Sequence, residues 1–256
     1  MKSKVKYFKT NEIGTDYVVG DIHGCYDEFM ELLNRIGFDK SKDRMFSVGD
    51  LLDRGKDSIK CLELIYEHWF HSVRGNHEDM MIESLHSRHI ENTWLYNGGG
   101  WSRHEDEQLL TAHCEWAKEN LPIVIVVGKE ENRRNIVHAE FYKNANDEFP
   151  SDKDIDEWNF DEYNENNLLW GRVIISNKPL FSTNSKFSNE GLSPTFVGHT
   201  PLSAPLRLFN HIYIDTGAVF KRGNCALTVS RLSDFKMFSI DTSNSADKIP
   251  YREYYI

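Results

Sequence analysis

The stretch Met45-Phe46-Ser47-Val48-Gly49-Asp50-Leu51-Leu52-Asp53-Arg54-Gly55 decides the fold class. A short apolar run ends abruptly in Gly-Asp, the pattern of a buried strand whose carboxyl end carries a polar site. The same transition occurs on either side of it. Tyr17-Val18-Val19 runs into Gly20-Asp21, and Ser72-Val73 runs into Arg74-Gly75-Asn76-His77. Between these runs, Tyr26 to Arg35 places Phe29, Leu32 and Leu33 on one helical face, and Ser58 to His68 does the same with Ile59, Leu62 and Ile65. The alternation predicts a parallel βαβαβ beginning, and ligands of open α/β sheets gather at the carboxyl ends of such strands. The three polar endings should therefore share one edge.

Downstream, Pro122 to Val127, Asn135 to His138, Thr195 to Val197, Ile212 to Asp215, Ala226 to Arg231 and Met237 to Ile240 are closely spaced strand patterns with few long helices between them. They predict a second, more antiparallel sheet, so the fold class is α/β: two stacked mixed β-sheets flanked by helices. From Lys143 to Asn167 the chain is rich in Asp, Glu and Asn and poor in aliphatics, which reads as a solvated surface insertion with a short helix around Trp158. Gly98-Gly99-Gly100-Trp101 lacks the strand-then-helix context of a phosphate cradle and reads as packing punctuation.

The 256 residues are expected to form a single domain. A formal net charge of −10 argues against a long nucleic acid or an anionic membrane surface as partner. The basic amino terminus has no apolar run behind it, and Leu121 to Val127 is too short to span a bilayer. Cys25, Cys61, Cys114 and Cys225 lie far apart, which suits reduced thiols in the cytoplasm. A monomer is expected, because nothing reads as a coiled coil.

Asp21-x-His23 just beyond a strand offers a carboxylate and an imidazole from one tight turn. Asp50 and Asn76 end the next two strands, each with a glycine that lets the backbone turn beside an ion, and His138 and His199 end later strands. This mixture of carboxylate, amide and imidazole suits manganese, iron or zinc better than all-oxygen cages for calcium or magnesium. Six ligands exceed the need of one catalytic ion. A pair of ions about 3.5 to 4 Å apart would use them all, with Asp50, central in chain order, as the bridge. Arg54 and Arg74, each near a ligand, are candidates to bind phosphate oxygens in pairs. Asp53 is placed to orient His77 as a general acid.

The blocks Gly20-Asp21-Ile22-His23-Gly24, Gly49 to Gly55 and Arg74-Gly75-Asn76-His77-Glu78 resemble the PPP family of metal-dependent serine/threonine phosphatases. Asp21 to Tyr26, Asn97 to Trp101 and Ile214 to Phe220 resemble its compact bacteriophage and bacterial branch. The resemblance spans all but the acidic segment and the tail after about Asp234. It implies a calcineurin-like metallophosphoesterase fold with two divalent ions, manganese first. One ion would be held by Asp21, His23 and Asp50, the other by Asp50, Asn76, His138 and His199. It also implies a third phosphate-binding arginine at Arg172.

The expected reaction is hydrolysis of phosphomonoesters on phosphorylated proteins by direct attack of a metal-bridging hydroxide. Arg54, Arg74, Asn76 and Arg172 would hold the phosphoryl oxygens while His77 protonates the leaving oxygen. A shallow cleft would admit phosphotyrosine as well. The rival readings are a symmetrical dinucleoside polyphosphate hydrolase, a metal-dependent nuclease or diesterase, and a metal-binding module without catalysis. The arginines favour a doubly charged monoester over a diester.

Overall fold

The computed structural model describes residues 4–178, 191–243 and 251–256. Among the described residues the strands form two six-stranded sheets. The first contains β2 (Asp16–Val19), β3 (Arg44–Ser47), β4 (Phe70–Ser72), β10 (Ala226–Arg231), β11 (Lys236–Asp241) and β12 (Tyr251–Tyr255), in the order β12-β11-β10-β2-β3-β4. The second contains β1 (Val5–Phe8), β5 (Val124–Val127), β6 (Arg134–Val137), β7 (Thr195–Val197), β8 (Leu206–Leu208) and β9 (His211–Tyr213), in the order β1-β5-β6-β7-β9-β8.

β2, β3 and β4 are parallel, with Val18 opposite Phe46 and Phe46 opposite His71. β6, β7 and β9 are parallel to one another in the second sheet. These two parallel triplets carry the polar strand endings. The antiparallel pairs lie around them, where β10 joins β2, β5 joins β6 and β8 joins β9; contrary to expectation β10 and β11 extend the first sheet, not the second, so the first sheet is the more antiparallel one.

Alternation along each strand explains the layering, because successive side chains leave a strand on opposite faces. Val18, Phe46, Ile125, Ile136, Phe196 and Ile212 point into one apolar layer between the sheets. Their neighbours Tyr17, Val19 and Met45 face the opposite way, into a cluster with Phe29, Leu32, Leu62, Met81 and Trp94 from the helices on that side. Val124, Val126, Val137 and Val197 pack outward from the second sheet against Ile155, Phe160, Leu168 and Ile174. The two sheets are thus stacked face to face with helices outside both.

The helix at Tyr26–Arg35 forms as its periodicity requires. Ser58 to His68 does not stay α-helical: an α-helix at Ser58–Glu63 tightens into a 3-10 turn at Leu64–Tyr66. The acidic segment is more ordered than a solvated loop. It folds as helices Asp152–Glu157 and Glu162–Trp170, which bury Ile155, Leu168 and Leu169. Its acids and amides serve as acceptors. Ser151 and Asp154 form a capping box, Asp161 caps the next helix, and Asp154 accepts from Asn144 and Asn159. Trp158 takes a left-handed conformation to end the first of these helices.

His211 ties the second sheet to this outer layer, since its buried Nε2 accepts the Phe141 N–H at 3.1 Å. Burial pushes the imidazole down from 6.5 to about 4. The folded value lies below the unfolded one, so the contribution to stability is complete above pH 6.5 and is lost as pH falls towards 4. A displacement of that size corresponds to about 3 kcal/mol. His211→Gln should therefore lose less stability than the wild type between those pH values, as measured by urea denaturation. Parallel acid limbs for the two proteins would refute this.

Candidate metal centre and active site

The parallel triplets deliver their endings to one place. Asp21 follows β2, Asp50 follows β3 and Asn76 opens the helix Asn76–Ser84 after β4, while His138, His199 and Asp215 follow β6, β7 and β9. All six are at least 95% buried. The turns require close backbone approach. Gly49 sits at φ +93°, where a Cβ would lie 2.6 Å from the Gly75 nitrogen, and a Cβ on Gly75 would lie 2.3 Å from Asp50 Oδ1. His23, Asp50, Asp53, Arg54 and His199 all adopt positive φ. Non-glycine residues there cost about 1 to 3 kcal/mol each, strain that clusters at functional sites.

Hydrogen bonds to main-chain carbonyls set the imidazoles. His23 Nδ1 donates to the Leu52 carbonyl at 2.8 Å, and His138 Nδ1 donates to the Val48 carbonyl at 2.7 Å. A carbonyl can only accept, so in the neutral rings the lone pairs lie at Nε2. Burial keeps both rings neutral, His23 down to about 3. His138 Nε2 then faces Asn76 Oδ1 at 2.8 Å, His199 Nδ1 at 3.2 Å and Asp50 Oδ1 at 3.5 Å. His23 Nε2 stands 3.4 Å from Asp50 Oδ2. Around His138 Nε2 acceptors thus face acceptors in a buried site, an arrangement that a cation between them would relieve, whereas at His23 Nε2 the Arg54 guanidinium stands in that place.

Among the described residues, two groups have ligand atoms that lie within 4.8 Å of one another: His23, Asp50 and His77, and Asp50, His138 and His199. Asp50 belongs to both. Asp21 belongs to neither, because its carboxylate is turned onto the His199 backbone N–H at 3.1 and 3.2 Å. Burial, with Asp215 and Asp50 nearby, holds the Asp21 carboxyl well above the usual carboxylate range. Burial alone would also raise Asp50, yet the imidazoles of His138, His77 and His23 bring it below that range. This donor set fits divalent cations of the borderline kind.

Beside the cluster, His77 Nδ1 lies 2.5 Å from Asp53 Oδ2, and its Nε2 faces the cluster, 3.9 Å from Asp50 Oδ2. Burial would depress His77, but Asp50 and then Asp53 outweigh it and raise the imidazole above its ordinary value. Arg54 reaches in from the same turn. Its Nη1 donates to His23 Nε2 at 2.6 Å and its Nη2 to His77 Nε2 at 2.8 Å. Arg172 sits at the rim and donates to the His199 carbonyl at 3.1 Å and to Thr200 Oγ1 at 3.3 Å.

Arg74 does not join them. Its guanidinium is buried against the helices Asn76–Ser84 and Glu107–Asn120, donating to Asp79 Oδ1 at 3.3 Å and to the Lys118 carbonyl at 3.1 Å. In this conformation the Arg74 guanidinium ties Asp79 to the Lys118 carbonyl and does not turn towards the cluster where the phosphate contact is expected. Arg74→Met should lower stability by about 1 to 3 kcal/mol while changing KM less than about twofold, whereas Arg54→Met should chiefly impair turnover and KM. A large KM increase in a fully stable Arg74→Met protein would instead support the phosphate role expected of it.

Further residues, not singled out by the motifs, support the cluster. Glu78 is fully buried and accepts the N–H groups of Asp50, Leu51 and Gly75 at 2.8 to 2.9 Å, joining the β3 and β4 turns. Three residues after Gly75, it supplies the glutamate half of a helix capping box, bonding the Gly75 N–H, while Gly75 has no side chain to complete the other half. Asp215 was visible only as a strand ending. The Gly98 to Trp101 segment is more than punctuation: Trp101 donates its indole N–H to Asp53 Oδ1 at 2.7 Å, and Trp94 donates to Asp53 Oδ2 at 2.8 Å.

Two stacked sheets whose facing strand ends converge on a carboxylate, amide and imidazole cluster define a metallophosphoesterase. The chain belongs to the calcineurin-like phosphoesterase family, whose model matches residues 17–203, and membership implies divalent metal ions and hydrolytic activity. It is 35% identical over 210 residues to serine/threonine-protein phosphatase 1 of Salmonella typhimurium, covering 80% of this chain and 87% of that protein. A shorter match, 53% identity over 49 residues, is to a symmetrical bis(5'-nucleosyl)-tetraphosphatase of Aggregatibacter actinomycetemcomitans and covers 19% of this chain and 18% of the other. Among solved structures, a protein serine/threonine phosphatase from Saccharomyces cerevisiae shares the fold at a TM-score of 0.60 and 14% identity, over 99% of this chain and 84% of that one. No helix among the described residues is long and apolar enough to cross a membrane.

Proposed function

We propose that this protein is a metal-dependent phosphoprotein phosphatase acting on phosphoserine and phosphothreonine. The observation that carries the reading is the Asp53–His77 pair facing the Asp50 cluster, with Arg54 between them. His23 and Asp50 would hold one divalent ion, joined by Asp21 once its carboxylate turns from the His199 backbone N–H, and Asp50, Asn76, His138 and His199 would hold the other. Bound divalent ions supply Lewis acidity, which makes water nucleophilic near neutral pH and offsets phosphoryl charge.

The chain's own residues do the rest. Arg54 and Arg172 take the phosphoryl oxygens, where transition-state charge accumulates. A phosphate is a stronger acceptor than a neutral imidazole, so it draws the Arg54 guanidinium away and leaves His77 Nε2 free to carry a proton. Asp53 holds the opposite edge of the ring, and His77 gives that proton to the leaving seryl or threonyl oxygen. Manganese suits the mixed ligand set.

The second reading, dinucleoside polyphosphate hydrolysis, is favoured by the match of 53% over 49 residues. Release of phosphate from a phosphoserine peptide, compared with release of ADP from diadenosine tetraphosphate, each with manganese and again with a chelator, separates the two. Faster turnover of the peptide, lost on chelation, is expected. Preference for the dinucleotide would overturn the proposal.

A further inference from the structure

The dyad rests on more than His77 and Asp53. Asp53 is fully buried, and both carboxylate oxygens are engaged by indoles: Trp101 Nε1 at Oδ1, 2.7 Å, and Trp94 Nε1 at Oδ2, 2.8 Å, the oxygen that also meets His77 Nδ1. The rings stand at 89° with centroids 6.1 Å apart, so they approach the carboxylate from two directions. A carboxylate bound on one oxygen alone can pivot about its Cβ–Cγ bond; one bound on both cannot.

The chain path is built for this contact. Gly98 adopts φ +120°, where a Cβ would meet the Arg54 nitrogen at 2.9 Å, and its carbonyl accepts the Arg54 N–H at 3.4 Å. A Cβ on Gly99 would strike the Trp94 ring at 2.6 Å. Glycines therefore let the turn pass between the Trp94 ring and the Asp53–Arg54 backbone, and the following 3-10 helix, Gly99–His104, brings Trp101 round to Asp53. Indole N–H groups donate and never accept, so they favour the charged carboxylate and cannot compete for the His77 Nδ1 proton.

We infer that Trp94 and Trp101 are positioning residues: an indole clamp that locks the Asp53 carboxylate so that His77 Nε2 stays aimed at the leaving oxygen. This rests on the phosphatase reading above and assigns to the clamp the capacity to expel poor, alkyl leaving groups. In the step concerned, a water oxygen bonds to phosphorus as the bond from phosphorus to the seryl oxygen breaks. The seryl oxygen keeps the electron pair and takes the His77 Nε2 proton. The proton lost by the water passes to solvent, from which His77 is reprotonated. A loosened clamp impairs only the proton delivery, so its effect grows with the basicity of the leaving oxygen.

The test uses manganese-loaded full chain carrying Trp101→Phe, Trp94→Phe or both, with a phosphoserine peptide and p-nitrophenyl phosphate as substrates. In the double variant kcat for the peptide should fall about 10- to 100-fold, the usual effect of removing an outer partner. KM should stay within about twofold and p-nitrophenyl phosphate turnover within about threefold. Benzothienylalanine at position 101 keeps the ring shape and deletes only the N–H, so it should reproduce the Trp101→Phe split even if phenylalanine unsettles the fold. The far-downfield proton resonance of the Asp53–His77 hydrogen bond should weaken in the same variants. Equal losses on both substrates, or no loss on the peptide in a folded variant, overturn the clamp alone. A wild-type chain that turns over neither substrate overturns the phosphatase reading and the clamp with it.

Discussion

Replacing Asp50 with Ala is expected to remove hydrolysis and metal-dependent stabilisation together. Asp50 is shared by both groups of ligand atoms, and its Oδ1 also accepts the His77 N–H at 3.0 Å. The wild type should gain about 2.7 kcal/mol for each site when manganese stands at 100 times its Kd, because the ion binds only the folded chain. The Asp50→Ala protein should gain little from manganese, and its kcat should fall by roughly 10³-fold or more, given that one electrostatic donor alone is worth about 10²–10³. Urea denaturation with and without manganese, beside phosphate release, measures both. A fully active Asp50→Ala enzyme in excess manganese would sink the shared-ligand assignment.

The second large effect is expected at His77. His77→Asn should lower kcat for a phosphoserine peptide by about 10²- to 10⁴-fold, the usual contribution of a general acid. An activated aryl phosphate departs without much help and should lose far less. His77 Nδ1 is bound to Asp53, and its Nε2 is the edge presented to Asp50 and Arg54. Loss of equal size on both substrates would show that His77 serves the ligand cluster, which its grouping with His23 and Asp50 also permits, rather than proton transfer.

The strand endings and the helix at Tyr26–Arg35 were legible because they are local. An apolar run that stops at Gly-Asp or Gly-Asn-His announces both a buried strand and the polar group at its end. The acidic segment was less legible, since composition registers the many Asp and Glu and gives no weight to Ile155 and Phe160 within it, which together with Leu168 and Leu169 just beyond its end anchor it to the second sheet. Helix formation there depends on caps that become useful only once those residues find a surface.

By itself the sequence determined the α/β class, the six residues Asp21, His23, Asp50, Asn76, His138 and His199 as strand endings, and the pairing of Asp53 with His77 as a candidate. It could do so because parallel strands in one sheet must place their carboxyl ends side by side. Only the tertiary structure decided where the long side chains point. Arg74 lies two residues from Asn76 yet turns towards Asp79 and Lys118, while Arg54 turns into the site. The indoles that hold Asp53 come from 41 and 48 residues along the chain. A side chain's direction is set by which acceptor lies within reach once packing is complete, and no local pattern carries that information.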